Sequence, residues 1–339
     1  MHVHDGIERV SPELALKRGS AIDVLLHEYY PVRHPQLHVV PGALNLDAIG
    51  PVGRRDEVGV LRKAVLAMPH ALAGHYLHSP TAATMKSINT HRAFKQHAGL
   101  VETLLANDVE VYLMRMPHGA TEAMYCMDPV SAIANTVMVF NMAEPARKLE
   151  TPLYQGGSRM KPGASAEGGD HLQVFHEGAI HYLQGFNSLR ANEESVVAVK
   201  DFLLQLKSRH AIEHHAISLQ GENTLHLDCV VNYFGEGASR GLVVCEESIT
   251  NQNDITLLQR LTQTPDERVL VVTREQAERG ATNFANLSPQ KLMIPDSKYT
   301  KLVADFAKSL GIEVVLLKFD ESDKKDGWVR CNIGQLLRL

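Results

Sequence analysis

The sequence predicts an α/β protein built from repeated strand–strand–helix–strand units around an axis. Three observations carry this expectation. A helix-to-strand segment recurs along the chain, short strands bounded by turn residues lie between the copies, and no GxGxxG or GxxxxGK[ST] loop marks a nucleotide-binding sheet. The clearest copy is "HAGLVETLLANDVEVYLM" (97–114). Leu100, Val101, Leu104 and Leu105 fall on one helix face, Asn107-Asp108 turns the chain, and an alternating strand follows. The segment 301–319 repeats the plan: Leu302, Val303, Phe306 and Leu310 line a face, Gly311 is a helix stop, and "IEVVLL" is a strand. Further copies lie at 195–219 and 254–272.

The short strands between these helices are "IDVLLHE" (22–28), "GAIHYLQG" (178–185), "CVVNYFGEG" (229–237) and "GLVVCEES" (241–248). Residues 50–90 break the repeat and read as a helical insertion or cap. Residues 1–18 read as an N-terminal arm, leaving 19–339 as one domain. In such an arrangement, loops from several modules converge on a central site.

Composition narrows the function. The 339 residues carry a net charge of −5 with no long block of like charge, which argues against an electrostatic grip on nucleic acid or an anionic membrane. One Trp and nine Phe leave little for stacking on bases. No apolar run approaches the ~18–20 residues that cross a bilayer. No signal segment is visible at the start. The four widely spaced cysteines, without CxxC, read as free thiols of a reducing cytoplasm. Eighteen histidines, including "HVH" (2–4) and "HYLH" (75–78), invite a metal reading, but no HExxH or zinc-spaced quartet occurs. Neither a metal nor an organic cofactor is expected. Association into homo-oligomers is left open.

Four stretches place chemistry-bearing residues near strand ends: "MYCMDP" with Asp128, "AEGGDHL" with Glu167 and Asp170, "TLHLDC" with His226 and Asp228, and "GWVRC" with Cys331. Taken singly, Asp-Pro opens turns and Gly-Gly-Asp marks tight loops. Together, "EGGD", then "SLRAN", then "HLD", then a cysteine after "VR" resemble the guanidino-group-modifying enzymes: arginine deiminases, dimethylargininases and amidinotransferases. The resemblance spans residues 20 to 339 and includes "IDVLLHEYYP" and "MDP…NMAEPARKLE". It implies a pseudo-fivefold α/β propeller, the pentein fold, of ββαβ modules.

The resemblance also implies roles. Cys331 would attack the guanidino carbon, His226 would move protons, and Glu167 would orient His226. Asp128 and Asp228 would hold the planar cation through paired charge-assisted hydrogen bonds. Asp170 would bind substrate or brace its loop. Arg147 and Arg190 match positions that hold the substrate carboxylate in arginine deiminases, salt bridging between modules being the alternative. The substrate is thus a small guanidino compound. The "EGGD" and "RAN" elements are similar to the hydrolases, whereas "HLDCVVNYFGEG" is similar to amidinotransferases. A hydrolase forming a covalent amidino-thioether is the first reading, an amidinotransferase the second, and a non-catalytic binding protein of the same fold the third.

Overall fold

The computed structural model describes residues 26–69, 88–115, 122–221, 223–324 and 327–339. The N-terminal arm, both His-rich strings and residues 70–87 of the expected insertion lie outside the described residues.

Among the described residues, five of six small sheets form the repeated architecture. Four follow one plan: an inner strand pairs antiparallel with a second, and a connecting segment crosses back to a third strand parallel to the second. In the second blade these strands are Val130–Ile133, Thr136–Val139 and Ser158–Arg159. The third has His171–His176, Ala179–Phe186 and Ala211–Ser218. The fourth has Val231–Phe234, Gly241–Val244 and Val269–Val271, and the fifth Ala285–Ser288, Lys291–Pro295 and Glu313–Leu317. The first blade is closed by the other end of the chain. Its inner strand, Gly334–Arg338, pairs antiparallel with Leu61–Ala67, which runs parallel to Glu110–Met114, with Leu37–Val40 beyond it at the edge.

The helices form where the apolar spacing places them. Thr90–Leu105 starts at Asn89, whose side chain accepts from the Arg92 N–H, and buries Phe94, Leu100, Val101, Leu104 and Leu105. Burial of side chains this size stabilises by roughly 1.5–3 kcal/mol each. Glu193–Gln205 and Gln252–Thr262 are likewise capped by Asn192 and Asn251. Lys301–Ser309 ends before Gly311, whose φ of +80° suits glycine. In the second blade the crossover is made by short 3₁₀ turns, Arg147–Leu149 and Thr151–Leu153. That blade therefore departs from the helical repeat.

Two expectations are corrected. The described part of "IDVLLHE" is helical at residues 26–29 rather than a strand. Within the 50–90 segment, Leu61–Ala67 is a central strand of the first blade rather than helical insertion. Its apolar run reads ambiguously because a strand buried on both faces loses its alternation.

The inner strands share a feature that the helix-based reading did not use. Each carries at least one buried polar side chain, among them Ser131, Gln173, Asn232, Asn286 and Gln335. Several bond across blade junctions. Gln173 Nε2 donates to the Ala132 carbonyl (2.8 Å), Asn232 Nδ2 to the Phe284 carbonyl (2.9 Å), and Asn286 Nδ2 to the Tyr233 carbonyl (3.0 Å). Arg54 donates to Ser131 Oγ (2.7 Å) and Gln335 Oε1 (3.2 Å). Buried amides bonded in this way tie neighbouring blades together and fix their register around the axis.

Candidate active site

Six of the residues singled out from the sequence sit in the loops that enter the inner strands. Asp128 precedes Val130–Ile133, Glu167 and Asp170 precede His171–His176, His226 and Asp228 precede Val231–Phe234, and Cys331 precedes Gly334–Arg338. Equivalent ends of separate blades point at one region, so residues 203 positions apart in the chain, Asp128 and Cys331, become neighbours: the Met127 N–H donates to the Cys331 carbonyl at 3.0 Å.

At the centre, His226 Nε2 lies 3.0 Å from Glu167 Oε2, both side chains being buried. On the other edge of the ring, Nδ1 lies 4.0 Å from Asp128 Oδ1. Burial by itself would lower the imidazole, but Asp128, Asp170 and the Glu167 hydrogen bond overcome it and raise the group to about 10. Burial would raise the Glu167 carboxyl, yet Arg147 and His226 hold it below the ordinary range.

Two glycines make this approach feasible. A Cβ on Gly169 would stand 2.7 Å from the His226 ring, and one on Gly168 would meet the Met127 carbonyl oxygen at 1.8 Å. The "EGGD" loop must be glycine there for Glu167 to reach His226. Asp170 closes the loop, accepting from the Glu167 N–H (3.0 Å) and from Ser188 Oγ (3.3 Å). Ser188 in turn accepts from the N–H groups of Arg190 and Ala191. Asp170 thus braces the "SLRAN" loop against the histidine, and burial raises its carboxyl to about 8.

Arg147 is placed differently from the substrate-holding expectation. Every guanidinium nitrogen donates to a protein oxygen: Nε and Nη2 to Glu150 (3.0 and 2.9 Å), Nη1 to Asp128 Oδ2 (2.6 Å) and Glu167 Oε2 (3.3 Å). With its side chain 2% exposed, it is the salt-bridging alternative. Arg190 is more open, at 13%, and stands 3.6–4.0 Å from Glu122, Glu167 and Glu144. Its Nη1 makes no hydrogen bond.

Cys331 is 6% exposed and its Sγ accepts from Asn283 Nδ2 at 3.1 Å. Burial, then Asp228 and Asp128, push the thiol well up from its ordinary value. Asp228 Oδ2 accepts from Arg330 Nε at 3.2 Å, and the Cys229 thiol approaches Oδ1 at 3.6 Å. Burial raises the Asp228 carboxyl as well, with Arg330 opposing. Asp128 Oδ1 is buried without a hydrogen-bond partner. Beside Cys229 opens a cavity of about 360 Å³ lined by Leu189, Thr224, Arg274 and Trp328 among others.

Sequence reasoning missed Asn283, Glu57 and Arg330. Arg330 is buried between Glu57 (2.8 Å) and Asp228. The signal for Asn283 was available: "ATNFANL" ends in an inner strand, as "MDPVSAI" does.

Among the described residues, three groups bring metal-ligating atoms within 4.8 Å of one another. Two include His226, which Asp128, Asp170 and Glu167 favour in its protonated form, a form with no lone pair to offer a metal. The third is His181, Glu213 and His215 on adjacent strands. There burial lowers both imidazoles, with Arg260 adding to it and Glu213 opposing. All four cysteines are free thiols, and no described helix is long and apolar enough to cross a membrane.

Comparison with known proteins agrees with this architecture. An uncharacterized Bacillus subtilis protein, YkgA, is 26% identical over 296 residues, covering 84% of this chain and 94% of its own. Dimethylargininase (DDAH) from Pseudomonas aeruginosa, solved as a cysteine-to-serine variant with citrulline, superposes with a TM-score of 0.62 at 19% identity, covering 83% of this chain and 100% of that one. The N-terminal domain of ArgZ, a cyanobacterial arginine dihydrolase solved with substrate, gives 0.66 at 16% identity, covering 81% and 97%. A further ArgZ structure, covalently bound to a reaction intermediate, gives 0.66 at 15%, covering 81% and 98%. The α/β propeller is therefore the pentein fold. Residues 77–338 match the family model described as N,N dimethylarginine dimethylhydrolase, eukaryotic, and the chain belongs to that family of guanidino-modifying pentein enzymes.

Proposed function

We propose that this protein hydrolyses the guanidino group of an arginine derivative, an N-methylated arginine first and arginine second, through a covalent intermediate on Cys331. The observation that carries the reading is the His226–Glu167 pair at 3.0 Å beside the unpartnered Asp128 Oδ1, in a region richer in buried carboxylates than in cations. Such a site suits a planar cation that donates several N–H groups.

The chemistry follows from the charges. In the free protein burial with Asp228 and Asp128 favours the neutral thiol, and Asp128, Asp170 and Glu167 favour a protonated His226. A guanidinium lodged between Asp128 and Asp228 would offset the carboxylates that disfavour the thiolate, and the thiol proton would pass to solvent. The sulfur would then attack the guanidino carbon. His226 would give its proton to the departing amine as the C–N bond breaks. The neutral imidazole would next take a proton from water as it adds to the amidino carbon, after which the C–S bond breaks and leaves a ureido product. Glu167 would hold the ring and stabilise its charged form. Arg147 would position Asp128 and Glu167, and Arg190 at the rim would take the substrate carboxylate. The covalent intermediate of ArgZ supports this order of events by analogy of fold.

The test is turnover of asymmetric dimethylarginine, monomethylarginine, arginine and agmatine, with and without glycine as acceptor. Dimethylamine, methylamine or ammonia released with a ureido product is the expected result. An amidinated glycine formed only with the acceptor would establish transfer instead. Cys331→Ala should abolish product formation, and normal turnover by that variant would defeat the mechanism.

A further inference from the structure

Four of the five inner-strand loops supply residues to the proposed mechanism: Asp128, Glu167, His226 with Asp228, and Cys331. The fifth enters Ala285–Ser288 through Thr282-Asn283-Phe284, and Asn283 stands two residues before its strand, as Asp128 does before Val130. Asn283 is completely buried. Its amide is used at both ends. Oδ1 accepts from the backbone N–H of Arg330 (3.0 Å) and that of Cys331 (3.4 Å), while Nδ2 donates to Cys331 Sγ (3.1 Å).

We propose that Asn283 completes the catalytic set as the fifth blade's contribution, its Oδ1 fixing the nucleophile loop and its Nδ2–H supplying the hydrogen bond that the sulfur accepts once ionised. The inference rests on Cys331 being the nucleophile. An N–H to a neutral thiol is a weak bond, whereas the same N–H to a thiolate is charge-assisted and stronger, so the donor favours the anion over the thiol. That direction matters here because burial and two carboxylates act the other way on this sulfur, and the Asn283 bond is one of the few influences that oppose them. The amide carries no charge, so it can favour the thiolate without repelling a guanidinium substrate. A lysine in its place would do both.

The two ends of the amide can be separated by substitution. Asn283→Asp keeps an oxygen for the Arg330 and Cys331 N–H groups but replaces the donor with an acceptor. Asn283→Ala removes both. The readout is alkylation of Cys331 by iodoacetamide across pH, followed on its own peptide by mass spectrometry so that Cys126, Cys229 and Cys245 do not interfere. In both variants the midpoint for Cys331 should move up by about one unit or more, a tenfold loss of thiolate at a given pH. The rising limb of kcat/KM should move with it, and the Asp variant should turn over no faster than the Ala variant. A purely structural clamp predicts the reverse: Asn283→Asp active, with an unshifted alkylation midpoint. That result would overturn the proposal. If the Asp variant does not fold, an unshifted midpoint in Asn283→Ala, checked for native circular dichroism, would overturn it equally. Alkylation needs no substrate. Failure of the guanidino-hydrolase reading would therefore show as absent turnover with the midpoint shift intact.

Discussion

Two buried charged clusters lie near the axis, and they differ in balance. Around Glu57, Arg54, Arg330 and Arg338 supply positive charge in excess, and the carboxyl is held down at about 2: burial opposes this, but Arg330 and Arg54 overcome it. Around His226, the carboxyl groups of Asp128, Glu150, Glu167, Asp170 and Asp228 outnumber the buried cations His226, Arg147 and Arg330, the last shared with Glu57. Burial there raises Asp170 to about 8 and Glu150 to about 7. The first cluster has the charge it needs from within the chain. It joins residues 54–59 to the C-terminal residues Arg330 and Arg338, and so helps close the ring. The second is short of positive charge. A buried cluster that the fold leaves uncompensated is where a ligand has something to supply, whereas a compensated one is architecture.

Substitutions sharpen that contrast. The largest effect is expected at the uncompensated cluster: His226→Asn should act on the chemistry, lowering kcat/KM on the order of 10²–10⁴-fold per folded molecule. Similar activity per folded molecule would remove His226 from the mechanism. Glu57→Ala should do the opposite. Leaving Arg330 and Arg54 without their shared carboxylate should cost about 3–5 kcal/mol in urea unfolding. A loss well below 1 kcal/mol would mean the axial cluster does not hold the ring.

The smallest effect is in pH dependence, and its sign differs between the clusters. Glu57 has a folded value of about 2 against an ordinary 4.5, so its stabilising share is present above 4.5 and lost as pH falls towards 2. Asp170 has a folded value of about 8 against 3.8, so the native state binds its proton more tightly and stability is lost as pH rises from about 4 through 8. Asp170→Asn should therefore lose less thermal stability than wild type between pH 5 and pH 8.5, as scanning calorimetry would show. An equal loss in both proteins would mean that Asp170 is ionised in the fold without cost.

Much of the molecule was legible in local pattern. The helices Thr90–Leu105, Glu193–Gln205, Gln252–Thr262 and Lys301–Ser309 follow from apolar residues at helical spacing bounded by Asn caps and turn residues, and the strands after them from alternation. The strand Leu61–Ala67 was not, because burial on both faces erases the period, and neither was the helical turn at 26–29. For the site, the order of "MDP", "EGGD", "HLD" and "VRC" named the side chains. Local sequence determined which residues sit at the ends of inner strands. Only the tertiary structure decided which ends meet, that Arg147 braces Asp128 and Glu167, and that Asn283 touches the sulfur. Helix and strand periodicity are properties of neighbouring residues, but charge balance and hydrogen bonding at the axis depend on atoms that chain order does not bring together.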